Sequence, residues 1–131
     1  MLQFFNTLSR QKETFKPLSQ EKVKVYYCGP TVYNFAHIGN LRTYLWEDFV
    51  VRSLRFLGYK VTTTMNITDI DDKTIRDSKL VNEKLLDFTK KYTNFFLADL
   101  ERLNIQKADN IQPISDIIPD MIEMINGLFV R

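Results

Sequence analysis

The sequence predicts an α/β fold built on a parallel βαβ unit, and three observations carry that prediction. Residues 22–27 (Lys-Val-Lys-Val-Tyr-Tyr) have the composition of a strand. Residues 41–57 repeat apolar side chains at helical spacing. Residues 59–65 (Tyr-Lys-Val-Thr-Thr-Thr-Met) are rich in β-branched residues, as a second strand should be. Strand, helix and strand in this order form a right-handed crossover between parallel strands, which is half of a Rossmann-like nucleotide fold.

The totals bound this picture. A chain of 131 residues fits one compact domain, and a hydrophobic content of 44% supplies a core. Lys and Arg number 18 against 16 Asp and Glu, a net charge of +2 that is too mild to argue for a nucleic-acid partner. One cysteine excludes an internal disulfide and agrees with a reducing compartment. The first ten residues lack the basic start and apolar run of a signal peptide. No apolar stretch approaches the roughly 20 residues that a spanning helix needs. The expectation is a cytoplasmic protein with no membrane association.

In chain order, Phe4, Phe5 and Asn6 suit a short edge strand, residues 6–16 read as loop, and Pro17 breaks the chain. After the first long strand, Gly29 and Pro30 force a turn. In the helix that follows, Leu41, Leu45 and Phe49 fall on one line and Val50, Leu54 and Leu57 on another, making a broad apolar face to be packed, with Trp46 as packing too. Arg52 and Arg55 take the remaining side, and Gly58 ends the helix. After the second strand, residues 72–79 form a short helix. Asn82 is the expected N-cap of the next one, whose Leu85, Phe88, Tyr92, Phe96, Leu100 and Leu103 make the clearest amphipathic pattern in the chain. Its aromatic stripe reads as core. A loop over 104–113 leads to a last helix over 115–126, with Pro119 in its first turn and Gly127 at its end, and residues 128–131 are an apolar finish. Lys84, Lys90, Lys91 and Lys107 are a solvated scatter.

The chemistry concentrates in residues 28–43, Cys-Gly-Pro-Thr-Val-Tyr-Asn-Phe-Ala-His-Ile-Gly-Asn-Leu-Arg-Thr, which hold the only cysteine and the only histidine. A strand, a sharp loop and a helix start present backbone N–H groups and a positive dipole end to a phosphate. Gly39 lets a nucleotide approach the backbone, and His37 stands just before the helix, within reach of a phosphate oxygen. Each residue also has a plainer reading: Cys28 as a small buried hydrophobe, His37 as a capping or turn residue, and Asp69 and Asp72 as caps of turns and a helix start. The acidic run 66–73 (Asn-Ile-Thr-Asp-Ile-Asp-Asp-Lys) fails as a calcium loop, with no glycine at the sixth place and no glutamate at the twelfth.

The stretch CGPTVYNFAHIGNLRTY, followed by NITDIDDK and preceded by FNTLSRQKETFKP, resembles the N-terminal signature of cysteinyl-tRNA synthetases, which are class I aminoacyl-tRNA synthetases. HIGN (His37, Ile38, Gly39, Asn40) resembles the class I "HIGH" element, with Asn40 where the general pattern has a second histidine. The resemblance runs through DLERLNI to IPDMIEMI and so covers the whole chain. It implies the first half of a class I synthetase nucleotide fold, followed by helices of the connecting region over 82–131. It further implies His37 and Asn40 as catalytic donors to ATP, with Gly39 beside them; Gly29, Thr31 and Thr68 in the pocket for substrate cysteine; and Cys28 as one ligand of a Zn2+ ion. Zinc prefers sulfur to hydroxyl oxygen, whereas a pocket's shape gives only about 1–3 kcal/mol against a near-isostere.

The activity so implied is cysteine–tRNA ligation. Cysteine is activated by ATP with Mg2+ to cysteinyl-adenylate and then passed to tRNA-Cys, in a full-length enzyme that works as a monomer. The lysine signature loop, the remaining zinc ligands, the second nucleotide-binding half and the tRNA-binding domains do not occur in these residues. The expectation is therefore an N-terminal segment of the catalytic domain with little or no ligase activity alone. Two alternatives share the same features: a cysteine-activating ligase of the mycothiol pathway, and a non-catalytic truncated paralogue that binds nucleotide.

Overall fold

The computed structural model describes residues 2–19 and 22–129. Val130 and Arg131, half of the expected apolar finish, lie outside the described residues. The chain opens with an antiparallel hairpin, β1 (Gln3–Asn6) and β2 (Gln11–Thr14). Part of the stretch expected to be loop is thus a strand. Asn6 builds the turn with its side chain, accepting from Leu8 N–H at 3.0 Å and donating to Glu13 at 3.0 Å. Hydrogen bonds from Asn6 and Ser9 hold the Glu13 carboxyl below the usual range.

The predicted unit follows: β3 (Lys22–Tyr27), α1 (Ile38–Phe56) and β4 (Lys60–Ile67). β3 and β4 run parallel, with Val23 opposite Val61 and Tyr27 opposite Met65. Two further helices, α2 (Asp72–Leu80) and α3 (Leu85–Arg102), lead to β5 (Asn110–Pro113). β5 pairs parallel to β4 and completes a sheet of order β3-β4-β5. β5 falls in the expected loop 104–113. Four residues ending in proline carry little strand signal, and the pairing is fixed from outside the segment. The Asp109 carboxylate accepts from Thr63 N–H at 2.7 Å and from its hydroxyl at 2.9 Å, locking the register. Those bonds also hold the Asp109 carboxyl below its ordinary range. A 3-10 turn (Ile114–Ile117) then passes into α4 (Ile118–Phe129). Pro119 is in its first turn as expected, but the helix continues through Gly127.

The helix ends share one device. Gly58, Asn82 and Asn104 all have positive φ (89°, 55° and 55°) and follow the last residues of α1, α2 and α3. In each case the next N–H bonds back into the last turn: Tyr59 to Leu54, Glu83 to Ser78 and Ile105 to Leu100. Asn82 therefore closes α2 rather than capping α3, whose N-cap is Lys84 without a side-chain bond. Asparagine tolerates the left-handed region second only to glycine, which is why one residue type serves both ends of a helix.

The core gathers Val32, Tyr44, Met65, Ile67, Phe96 and Leu100, from the loop after β3, α1, β4 and α3. Phe88 and Phe96 are buried, as the amphipathic pattern predicts, and the Phe96 ring meets Tyr44 at 4.9 Å between centroids. The broad apolar face expected for α1 is only partly used. Tyr44, Val51 and Leu54 are buried, whereas Leu45, Trp46, Phe49 and Leu57 are exposed. Arg52 and Arg55 are not idle on the far side. Arg52 donates to Asn104 O at 2.6 Å, Arg55 reaches Gln106, and Asp48 accepts from Gln106 N–H at 3.1 Å, so α1 is latched to the loop before β5.

Candidate functional site

The site lies where the sheet's carboxyl ends meet the start of α1. A cavity of about 280 Å³ opens there, lined among others by Thr31, Tyr33, His37, Asn40, Lys73 and Phe96.

His37 is the N-cap of α1. Its Nδ1 accepts from Gly39 N–H at 3.0 Å and from Asn40 N–H at 3.4 Å, and its own N–H donates to Asn40 Oδ1 at 3.3 Å. The plain capping reading of His37 is thus correct, and it sharpens the functional one. An imidazole nitrogen that accepts bears no proton, so the neutral ring carries its hydrogen on Nε2. Asn40 likewise spends its oxygen on the backbone and keeps Nδ2 as a donor. Capping fixes two side-chain donors on the cavity wall. It also consumes the backbone N–H groups of Gly39 and Asn40, so the expected backbone cradle for a phosphate is replaced by side chains. At Gly39 a Cβ would lie 2.9 Å from His37 Cε1, so the bare backbone makes room for the imidazole.

Pro30 and Thr31, which line the cavity, continue into a gap between β3 and β4. The two strands part after Tyr27 and Met65, and the ladder resumes as a bridge between Thr31 and Thr68. There Val32 N–H donates to Thr68 O at 3.2 Å and Thr68 N–H to Pro30 O at 3.0 Å. In between, the buried Asn66 side chain substitutes for the ladder. Its Oδ1 accepts from Gly29 N–H and from Tyr26 Oη, both at 3.0 Å, and its Nδ2 donates to Thr68 Oγ1 at 3.1 Å. Gly29 is not at positive φ; its role is close packing, since a Cβ would fall 1.7 Å from the Asn66 carbonyl oxygen. Cys28 is exposed beside this gap.

The acidic run divides its labour. Asp71, not Asp72, caps α2, accepting from Lys73 N–H at 2.9 Å. Asp69 is buried and accepts from both Ser115 N–H and Ser115 Oγ, tying the end of β4 to the turn after β5. Lys73 extends over the Tyr33 ring, 5.2 Å from its centroid. Of the residues given a site role from sequence, Thr31, His37 and Asn40 meet at the cavity. Gly29 and Thr68 join through Asn66, Gly39 lies under the imidazole, and Cys28 stands at the strand end. Sequence reasoning gave no role to Asn66 or Lys73. The available signal for Asn66 was an amide inside a strand, where such residues are depleted.

A family model described as tRNA synthetases class I (C) catalytic domain matches residues 14–131. The chain is 56% identical over all of its 131 residues to a cysteine–tRNA ligase of Methanosarcina mazei, covering 28% of that protein. It is 49% identical over 127 residues to the cysteine–tRNA ligase of Leptospira interrogans and 47% identical over 127 residues to that of Protochlamydia amoebophila, covering 27% of each. The chain thus spans little more than a quarter of the length of these relatives.

Proposed function

This chain belongs to the family of class I (C) tRNA synthetase catalytic domains, and from that premise we propose that it supplies the ATP- and cysteine-gripping part of a cysteine–tRNA ligase. Its first reaction joins a cysteine carboxylate oxygen to the α-phosphorus of ATP while the bond from that phosphorus to the bridging oxygen breaks. Pyrophosphate leaves with the electron pair, and Mg2+ accompanies the nucleotide. The acyl group then moves to a hydroxyl of the 3′-terminal ribose of tRNA-Cys, releasing AMP.

One observation carries this reading: the cap of α1 leaves His37 Nε2–H and Asn40 Nδ2 as donors at the same cavity. In this reading they meet the charge that grows on the α-phosphoryl oxygens. A preorganised donor of that kind lowers the barrier by about 2.7–4 kcal/mol. Lys73, lining the same cavity, adds a positive charge for the phosphate chain. Gly29, Thr31 and Thr68 form the amino-acid side, and no residue acts as a covalent nucleophile.

Zinc wants four donors. Cys28, a free and exposed thiol, fits one corner, while among the described residues no group of three His, Cys, Asp or Glu side chains converges. When bound, the metal supplies a soft partner for a substrate thiolate that a serine hydroxyl does not match. Among the described residues no helix is long and apolar enough to cross a membrane. The family chemistry by itself favours a cytoplasmic setting.

The test is a chimaera in which this chain replaces the corresponding quarter of the Methanosarcina mazei relative. The expected result is cysteine-dependent ATP–pyrophosphate exchange that falls about 10²–10³-fold in His37→Ala. A chimaera that folds and exchanges equally well with alanine at position 37 overturns the assignment. Supplying tRNA-Cys or a small amine-bearing glycoside as acceptor separates the ligase from a mycothiol-type enzyme.

A further inference from the structure

We infer that Asn66 is a positioning residue for the amino-acid site, and that its carboxamide sets the Thr68 hydroxyl as a hydrogen-bond donor toward the substrate. The inference rests on the assignment of Gly29, Thr31 and Thr68 to the cysteine pocket. Gly29 N–H can only donate, so the Asn66 atom facing it at 3.0 Å is the oxygen. The same oxygen takes the Tyr26 hydroxyl at 3.0 Å, which leaves Nδ2 to face Thr68 Oγ1 at 3.1 Å. Nδ2 can only donate, so Thr68 Oγ1 accepts there and keeps its own proton for another partner. The Thr68 backbone is held as well, its N–H on Pro30 O and its carbonyl on Val32 N–H, so the hydroxyl has a fixed origin. Asn66 itself is buried and has no slack, because Gly29 packs directly against its main-chain carbonyl. One amide thereby bonds to Gly29 on one strand end and Thr68 on the other, and orients the hydroxyl between them. The proton so kept is free for an acceptor on the amino acid, a carboxylate or a thiolate, while one lone pair of the hydroxyl stays open beside it.

The substitution Asn66→Asp keeps the shape and the bonds from Gly29 and Tyr26, but a carboxylate takes the Thr68 proton and turns the hydroxyl's lone pairs outward. Titration calorimetry of the chimaera described above with L-cysteine, and separately with ATP, reads the consequence. Asn66→Asp and Thr68→Val should each weaken L-cysteine about tenfold or more, the loss of one bond to a charged group. The double variant should be no weaker than either, and ATP affinity should hold. If Asn66→Asp does not fold, Thr68→Val alone decides, together with the through-bond NMR coupling from Gly29 N–H to the Asn66 side-chain carbonyl in the wild type. Cysteine affinity unchanged in Thr68→Val or Asn66→Asp, equal loss of cysteine and ATP, or an absent coupling each overturns the inference. A wild-type chimaera that takes up ATP but no cysteine sinks the pocket assignment and this inference with it. A wild-type chimaera that binds cysteine, with Asn66→Asp unaffected, sinks this inference alone.

Discussion

His37 caps α1 and, in the proposed function, donates to ATP, and the choice of replacement separates the two. His37→Ala removes the acceptor for Gly39 and Asn40 N–H, which should cost about 1 kcal/mol of stability in urea unfolding, together with the Nε2 donor. His37→Asn keeps a good N-cap. It should unfold near the wild-type midpoint while losing exchange activity in the chimaera as fully as alanine does. At Gly29 the constraint is steric. Gly29→Ala drives a methyl to 1.7 Å from a main-chain oxygen on the neighbouring strand, and a strand cannot swing aside as a flexible side chain can. The expected loss is at least about 1–3 kcal/mol, the usual cost of overpacking, read from the thermal unfolding midpoint. The sequence alone points to glycine at both 29 and 39 but not to the neighbours that each meets within the chain. One makes room for a main-chain carbonyl and the other for an imidazole, and such neighbours exist only after folding.

Helix α1 brings a carboxylate to an unfavourable place. Glu47 sits against Tyr27 and Tyr44 with its Oε2 buried and without a hydrogen-bond partner, and burial pushes its pKa up to about 7. Burial raises the Tyr44 phenol as well. The native pKa of Glu47 lies above its ordinary value of 4.5, so the folded chain binds that proton more tightly than the unfolded chain does. Stability is therefore greatest below about 4.5 for this group and declines as the pH rises toward about 7. Glu47→Gln should remove that decline and raise stability at pH 8 by on the order of 1 kcal/mol after allowance for solvent on its open side. Urea unfolding at pH 5 and pH 8 checks it, and an unchanged pH profile refutes it. Periodicity cannot reveal this arrangement. It marks Glu47 as a polar position on a helix and says nothing of the tyrosines that β3 and the preceding turn of α1 bring to it.

Across the whole molecule the apolar surface is unevenly spent. Leu45, Trp46 and Phe49 on α1 are exposed, and so are Met121, Ile122, Met124, Ile125, Leu128 and Phe129 on α4. No residue of α4 is buried. The chain should therefore enhance the fluorescence of a hydrophobic dye such as ANS while retaining a cooperative thermal transition. The double change Ile122→Glu and Ile125→Glu should reduce that signal without lowering the midpoint. A signal that disappears with the wild-type fold intact would refute it.

What the sequence determined by itself is local and periodic. It specifies the β3–α1–β4 unit, the amphipathic α3 and the positive-φ stop at Gly58, and it singles out the run from Cys28 to Thr43 as the candidate site. These follow from spacings and residue types that neighbours within one element impose. Only the tertiary structure decided the rest: β5 as a strand, Asp69 as a clamp on Ser115, the exposed half of α1, and Asn66 as the link between Gly29 and Thr68. Each of these depends on a contact between segments dozens of residues apart, where the partner that stabilises a conformation is supplied by another part of the chain and leaves no period of its own in the sequence.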